Sequence, residues 1–219
     1  AKDNIDKLLC LGDVVGYGAD PQACIKLLKS LKPDIILAGN HEWGVLGQTD
    51  INYFNHAARD AILWTRKTLT EKETEFLKSF KLSYESEDFE VVHGSLDLPE
   101  DFNFIMDEHD AQRNMRLMTK NLCFVGHSHV AGFFYSIEKN VRRTKAAMMN
   151  LDPSEKYIVN VGSVGQPRDL NPRASYAIFD DKTMTVEIKR VEYDIASCQQ
   201  KILKADLPSV LAFRLSQGM

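Results

Sequence analysis

No apolar run in this chain approaches the roughly 18 to 20 residues needed to cross a bilayer. The longest, such as Ile35 to Gly39 and Leu122 to Gly126, are only strand-length. A surplus of basic residues is also missing. Lys and Arg number 27 against 31 Asp and Glu, a formal charge of -4, so there is no broad positive field to draw the chain onto nucleic acid or anionic lipid. Cysteines are few and unpaired in sequence: Cys10, Cys24, Cys123 and Cys198 form no CxxC or similar motif. The opening stretch Ala1-Lys2-Asp3-Asn4 lacks the basic and apolar regions of a secretory signal, and a reducing, cytoplasmic setting is expected. Cys10 and Cys123 lie in apolar strand-like runs and read as small buried hydrophobes.

What is present is the composition of a globular protein, with 44% hydrophobic and 26% charged residues. The length of 219 residues favours one domain over two, spanning 1–219. Lys7 to Leu11 reads as a strand buried on both faces, ending at Gly12-Asp13. Asp20-Pro21 opens an amphipathic helix with Cys24, Leu27, Leu28 and Leu31 on its apolar face. A second strand, Asp34 to Ala38, ends at Gly39-Asn40-His41. Asn52 to Leu69 reads as mostly helix, and Thr70 with Glu73 has the spacing of a capping box. The second half is richer in strand: Phe89 to Val92, Leu122 to Val125, Gly132 to Ile137 and Tyr157 to Val161. Ser175 to Phe179 and Met184 to Val191 are expected to form an antiparallel hairpin around Asp180-Asp181-Lys182. The polar segment from Lys139 to Glu155 reads as an exposed, mobile loop. Helices are expected around Ile195 to Leu203 and from Pro208 through Leu215, with Gly218 as a stop. The order implies an α/β fold with strands inside and helices outside.

The informative pattern is positional. Four strand-like runs each end in a metal-capable polar residue: Gly12-Asp13, Gly39-Asn40-His41, Val92-His93-Gly94 and Gly126-His127-Ser128-His129. A fifth ends in Asn160-Val161-Gly162-Ser163. Ligands in open α/β sheets bind beyond the carboxyl ends of strands, so these residues can converge although distant in sequence. Of six histidines, four occupy these ends; His56 and His109 lie elsewhere. Imidazole, carboxylate and amide donors without thiolate suit divalent manganese, iron, zinc, cobalt or nickel. Asp13, Asn40, His93, His127 and His129 are too many for one tetrahedral ion and point to two metals bridged by a carboxylate and a water.

In this order, the Gly-Asp, Gly-Asn-His-Glu, Val-His-Gly and Gly-His-Ser-His motifs resemble the calcineurin-like metallophosphoesterases. Gly12-Asp13-Val14-Val15-Gly16-Tyr17-Gly18 resembles a small single-domain prokaryotic phosphodiesterase branch of that family. The resemblance runs from Lys7 to about Val191 and implies a two-sheet β sandwich flanked by helices. It implies that Asp13 bridges both metals, that Asn40, His93 and His127 complete the second metal's shell, and that His129 belongs to the first. His41 is then no ligand; it faces the scissile ester, stabilising the phosphoryl group or protonating the leaving oxygen. The reaction implied is hydrolysis of a phosphomonoester or phosphodiester, a small molecule, by a metal-activated bridging water. Arg168 is a candidate phosphate clamp, set against a plain solvated loop arginine.

Two departures stand out. The family opens with an Asp-x-His motif at the end of a first strand, which supplies the main ligands of the first metal. No such motif precedes Asp13, as though the first strand and helix, about 25 to 30 residues of the opening βαβ unit, were missing. On that expectation the first metal keeps only Asp13 and His129, and strand edges are left exposed. Gly16 also stands where many relatives place an Asp that orients the catalytic His, so His41 needs another partner. A non-catalytic interaction module with the same fold is the alternative reading. A metal-dependent nuclease is disfavoured by the acidic charge and the lack of a basic, aromatic-rich groove. The sequence carries no legible code for oligomeric state.

Overall fold

A computed structural model describes residues 3–138 and 140–219. Ala1 and Lys2, and Lys139 at the start of the polar segment, lie outside the described residues. The chain divides into two compact units: one runs to Leu82 and takes in Ser197–Ala212, the other holds Ser83–Ala196 with Phe213–Met219.

The first unit begins with β1 (Leu9–Cys10), α1 (Pro21–Leu31), β2 (Ile35–Ile36), α2 (Asn40–Leu46), α3 (His56–Thr68) and α4 (Glu71–Lys78). β1 and β2 pair in parallel, Leu9 opposite Ile35 and Cys10 opposite Ile36. Both residues of β1 are half-buried, so the strand expected to be buried on both faces is not. Val15, Ile25, Val45, Ile62 and Leu77 form the core, against which Leu46, Phe54, Phe76 and Phe80 pack. α1 turns Pro21 and Ile25 inward, whereas Leu27 and Leu31 face out, 60% and 55% exposed. The expected apolar face is therefore rotated: the i, i+4 pair starting at Pro21 wins over the one starting at Cys24. Asp20 makes no side-chain cap and instead takes an ammonium hydrogen bond from Lys201, 2.6 Å away. Thr70 and Glu73 do form the expected capping box, with the Thr70 amide donating to Glu73 Oε2 at 2.8 Å.

The second unit contains β3 (Ser83–Glu85), β4 (Glu90–Val92), α5 (Glu108–Leu117), β5 (Leu122–Val125), β6 (Gly132–Ile137), β7 (Asn140–Thr144), β8 (Met148–Asn150), β9 (Tyr157–Asn160), β10 (Ala174–Asp180) and β11 (Thr185–Val191). Among the described residues these make a six-stranded sheet ordered β3-β4-β5-β9-β6-β7 and a three-stranded sheet ordered β10-β11-β8. Strand alternation sorts β5 between two partners. Cys123 and Val125 join Val92 and Ile158 under Ala111 and Met115 of α5. Phe124 points the other way, onto Phe179 of the three-stranded sheet, with ring centroids 6.0 Å apart. The result is two sheets face to face with a helix outside, as the α/β sandwich reading expects. The β10–β11 hairpin pairs Asp180 with Thr185 across the expected polar turn.

The polar segment after Ile137 is not a loop: β7 and β8 occupy it. Both are edge strands with mostly exposed side chains, so the apolar alternation that betrays a strand is nearly absent there. The chain ends in α6 (Ile195–Lys204), α7 (Ser209–Phe213) and a 3₁₀ turn closed by Gly218 at φ 65°. No described helix is long and apolar enough to cross a membrane.

Candidate metal centre

In the first unit, Asp13 follows β1 and Asn40 opens α2. The helix begins at Asn40, where the second strand was expected to end, and it was not among the expected elements. Gly44 lets α2 approach α3 closely: a Cβ there would sit 2.9 Å from Ile62 Cδ1, which would have to turn aside. Glu42 organises the whole corner. Its side chain, 0% exposed, accepts from the amides of Asp13 (2.8 Å), Val14 (2.7 Å), Val15 (3.3 Å) and Gly39 (2.8 Å). One carboxylate thus caps α2 and fixes the loop that carries Asp13. The His41 amide in turn donates to Asp13 Oδ1 at 3.1 Å.

The His41 ring is buried and lies against Tyr17, centroids 4.3 Å apart, and edge-on to Phe54 at 5.6 Å. Gly16 makes room for it: a Cβ at that residue, φ 130°, would fall 2.1 Å from His41 Nδ1. This accounts for the second departure, since the imidazole occupies the volume that any side chain at 16 would need. The Asn40 Oδ1 atom is buried and has no hydrogen-bond partner among the described residues, which leaves a carbonyl oxygen suited to a cation.

In the second unit, β4, β5 and β9 are adjacent and parallel, so their carboxyl ends form one edge. His93 follows β4, His127 and His129 follow β5, and Asn160 ends β9. His93 Nε2 and His127 Nδ1 face each other at 3.2 Å, both residues buried. His129 Nδ1 lies 2.7 Å from the Gln166 carbonyl oxygen, to which it donates, leaving Nε2 as its lone-pair nitrogen. The Arg168 amide donates back to the His129 carbonyl at 3.0 Å. Asn160 acts as a staple rather than a ligand: its Nδ2 donates to the Gly126 carbonyl (2.6 Å) and Ser128 Oγ (2.8 Å), and its Oδ1 accepts from the Gly162 amide (3.0 Å). Arg168 is half-buried, with Nη2 donating to Gln166 Oε1 at 2.9 Å.

Asp13, His127 and His129 share a backbone feature, φ values of 54°, 60° and 60° in the left-handed region. Such strain in ordinary residues concentrates at functional sites. Glu42, Gln166 and Phe104, whose ring stacks on His127 at 3.9 Å and 18°, were not among the residues expected at the site. Only Glu42 had a signal, its place in the Gly-Asn-His-Glu motif. Asp107-Glu108-His109 has Asp-x-His spacing but lies at the start of α5, where Asp107 caps the helix through the Asp110 amide at 2.9 Å.

A family model described as the calcineurin-like phosphoesterase superfamily domain matches residues 1–184. The chain belongs to this superfamily. It is 40% identical over 219 residues to the uncharacterized protein MJ0912 of Methanocaldococcus jannaschii, covering 98% of this chain and 87% of that protein. A crystal structure of a metallophosphoesterase from Sphaerobacter thermophilus superposes with a TM-score of 0.87 at 37% identity, over 99% of this chain and 89% of that one. The hypothetical protein PH1004 of Pyrococcus horikoshii OT3, 18% identical, shares the fold with a TM-score of 0.80, over 99% and 86% of the two chains. Calcineurin-like phosphoesterases act by metal-dependent hydrolysis of phosphate esters, generally with divalent ions. The donors of each unit fit such ions: a facing imidazole pair and a third imidazole with its far nitrogen tied back in one, a carboxylate and an unpartnered amide oxygen in the other.

Proposed function

We propose that the chain hydrolyses a small phosphomonoester or phosphodiester using two divalent metals, drawn from manganese, iron, nickel, cobalt and zinc. The carrying observation is the His93–His127 pair, two buried imidazoles whose Nε2 and Nδ1 atoms face each other at 3.2 Å. In this reading Asp13, Asn40, His93, His127 and His129 would hold the metals, with Asp13 the carboxylate common to both. Residues 1–219 are read as one metallophosphoesterase domain, which a family match over residues 1–184 supports.

When bound, the metal pair supplies an activated water and charge for the phosphoryl oxygens. The protein's own groups do the rest. Gln166 fixes the His129 tautomer through its carbonyl and holds Arg168 through its side chain, so that the guanidinium can neutralise a phosphoryl oxygen. His41, boxed by Tyr17 and Phe54, gives a proton to the leaving oxygen or stabilises the charged phosphoryl group. Glu42 keeps Asp13 in register without touching substrate.

The test is hydrolysis of aryl phosphate mono- and diesters with added manganese or nickel, comparing the natural chain with Asp13→Ala and His41→Ala. Turnover of either ester that disappears in Asp13→Ala and falls about 10²-fold or more in His41→Ala is expected. Full metal occupancy with neither ester hydrolysed would favour an interaction module on the same fold.

A further inference from the structure

The segment between β4 and α5 contains two phenylalanines treated in opposite ways. Phe102 is buried and stands edge-on to His93, centroids 5.9 Å apart. Phe104 is stacked flat on His127 and yet 49% exposed. One face of the ring lies against the imidazole, and about half of the residue's surface remains open to solvent. Half a phenyl ring in water is unfavourable, and here it sits beside a residue of the candidate metal centre. The segment is firmly held. Gly94 approaches it so closely that a Cβ would meet the Asn103 carbonyl at 2.7 Å, and Arg143 donates to the Met106 carbonyl at 3.0 Å. Leu98 and Phe102 adopt left-handed backbone, φ 51° each, so the ring is presented by a strained, fixed turn. Leu98 and Met106 in the same turn are also exposed.

We propose that Phe104 is a specificity-determining residue: its outer face stacks a flat, apolar leaving group, so the preferred substrates are phosphate esters of a phenyl-like or nucleobase-like ring. This rests on the phosphoesterase reading, with the phosphoryl group beside His127 and the ring one ester linkage away. A flat partner gains dispersion and face-to-face contact from Phe104 that an alkyl or sugar group of the same charge lacks.

The experiment measures binding, not turnover: calorimetric titration of the manganese-loaded protein with phenylphosphonate and with methylphosphonate. The natural chain is expected to bind the phenyl compound about tenfold more tightly. That ratio should fall below about threefold in Phe104→Leu, which keeps an apolar side chain but no ring, and persist in Phe104→Trp. A merely structural role in covering His127 would weaken both phosphonates alike and leave the ratio unmoved. A ratio near one in the natural chain, a ratio unchanged in Phe104→Leu, or binding of neither compound overturns the proposal. If the phenyl preference holds while no ester is hydrolysed, the phosphoesterase reading fails and the stacking assignment survives. Hydrolysis of esters without any phenyl preference has the reverse meaning.

Discussion

Replacing Glu42 with glutamine changes one oxygen to an NH₂ group and leaves the shape of the side chain intact. In the native corner Oε2 serves the Asp13 and Gly39 amides, and Oε1 serves those of Val14 and Val15. Whichever way the amide is turned, its nitrogen faces two backbone donors that then lose their acceptor. Hydrogen bonds to a charged group contribute about 1.5 to 3 kcal/mol each, so the two lost bonds amount to about 3 to 6 kcal/mol before relaxation. That is a large share of the roughly 5 to 15 kcal/mol that separates folded from unfolded domains. Trp43 and Trp64, the chain's two tryptophans, both belong to the first unit, so urea denaturation followed by tryptophan fluorescence reads that unit directly. The expected result is an early tryptophan transition in Glu42→Gln, together with weakened metal uptake because Asp13 loses its anchor. A variant within about 1 kcal/mol of the natural chain would refute the idea that this carboxylate organises the corner.

Gly16→Ala should displace the His41 ring, since its Cβ would lie 2.1 Å from Nδ1, and should lower kcat toward the level of His41→Ala; steady-state kinetics checks this. Asn160→Ala removes three hydrogen bonds from the turn carrying His127 and is expected to destabilise the protein by about 2 to 4 kcal/mol, measured by urea denaturation with far-ultraviolet circular dichroism. Burial pushes the Cys10 thiol up from 9.0 to about 11, opposed by a Gly12 amide and assisted by the nearby Glu42 and Asp13 carboxylates. The folded state therefore holds the proton more tightly than the unfolded chain. Its contribution is complete below pH 9 and is lost as the pH rises towards about 11, a slope that Cys10→Ala should flatten in melts across that window.

Much of the arrangement is legible in the sequence because it depends on short-range rules. The capping box at Thr70 and Glu73, the β10–β11 hairpin and the helix stop at Gly218 follow from local chemistry. The strand-end histidines were legible because apolar runs mark strands and parallel strands align their carboxyl ends. Parts that depend on neighbours were not. The inward face of α1 is decided by what packs against Pro21 and Ile25, and β7 and β8 are strands because a sheet edge accepts polar residues. The Gly-Asn-His-Glu motif marks Glu42, but its role depends on four amides that converge on it only in the fold. Phe104 carried no signal, since nothing in the run from Leu98 to Met106 reveals which ring is anchored and which is shown to solvent.

The left-handed backbone at Asp13, His127 and His129 also limits what mutation can do there. Branched residues such as Val, Ile and Thr are poorly accommodated at positive φ, whereas Gly, Asn, Asp and His are tolerated best. The acceptable alphabet at these three positions is thus narrowed by the turns themselves, apart from any demand of chemistry. A descendant that had abandoned hydrolysis would still drift slowly there, towards Asn or Gly rather than freely. On the phosphoesterase reading, an intact Asp or His at these places in relatives records the shape of the loop as well as its use, whereas a change at His93, which lies outside that constraint, is the more telling sign of lost activity.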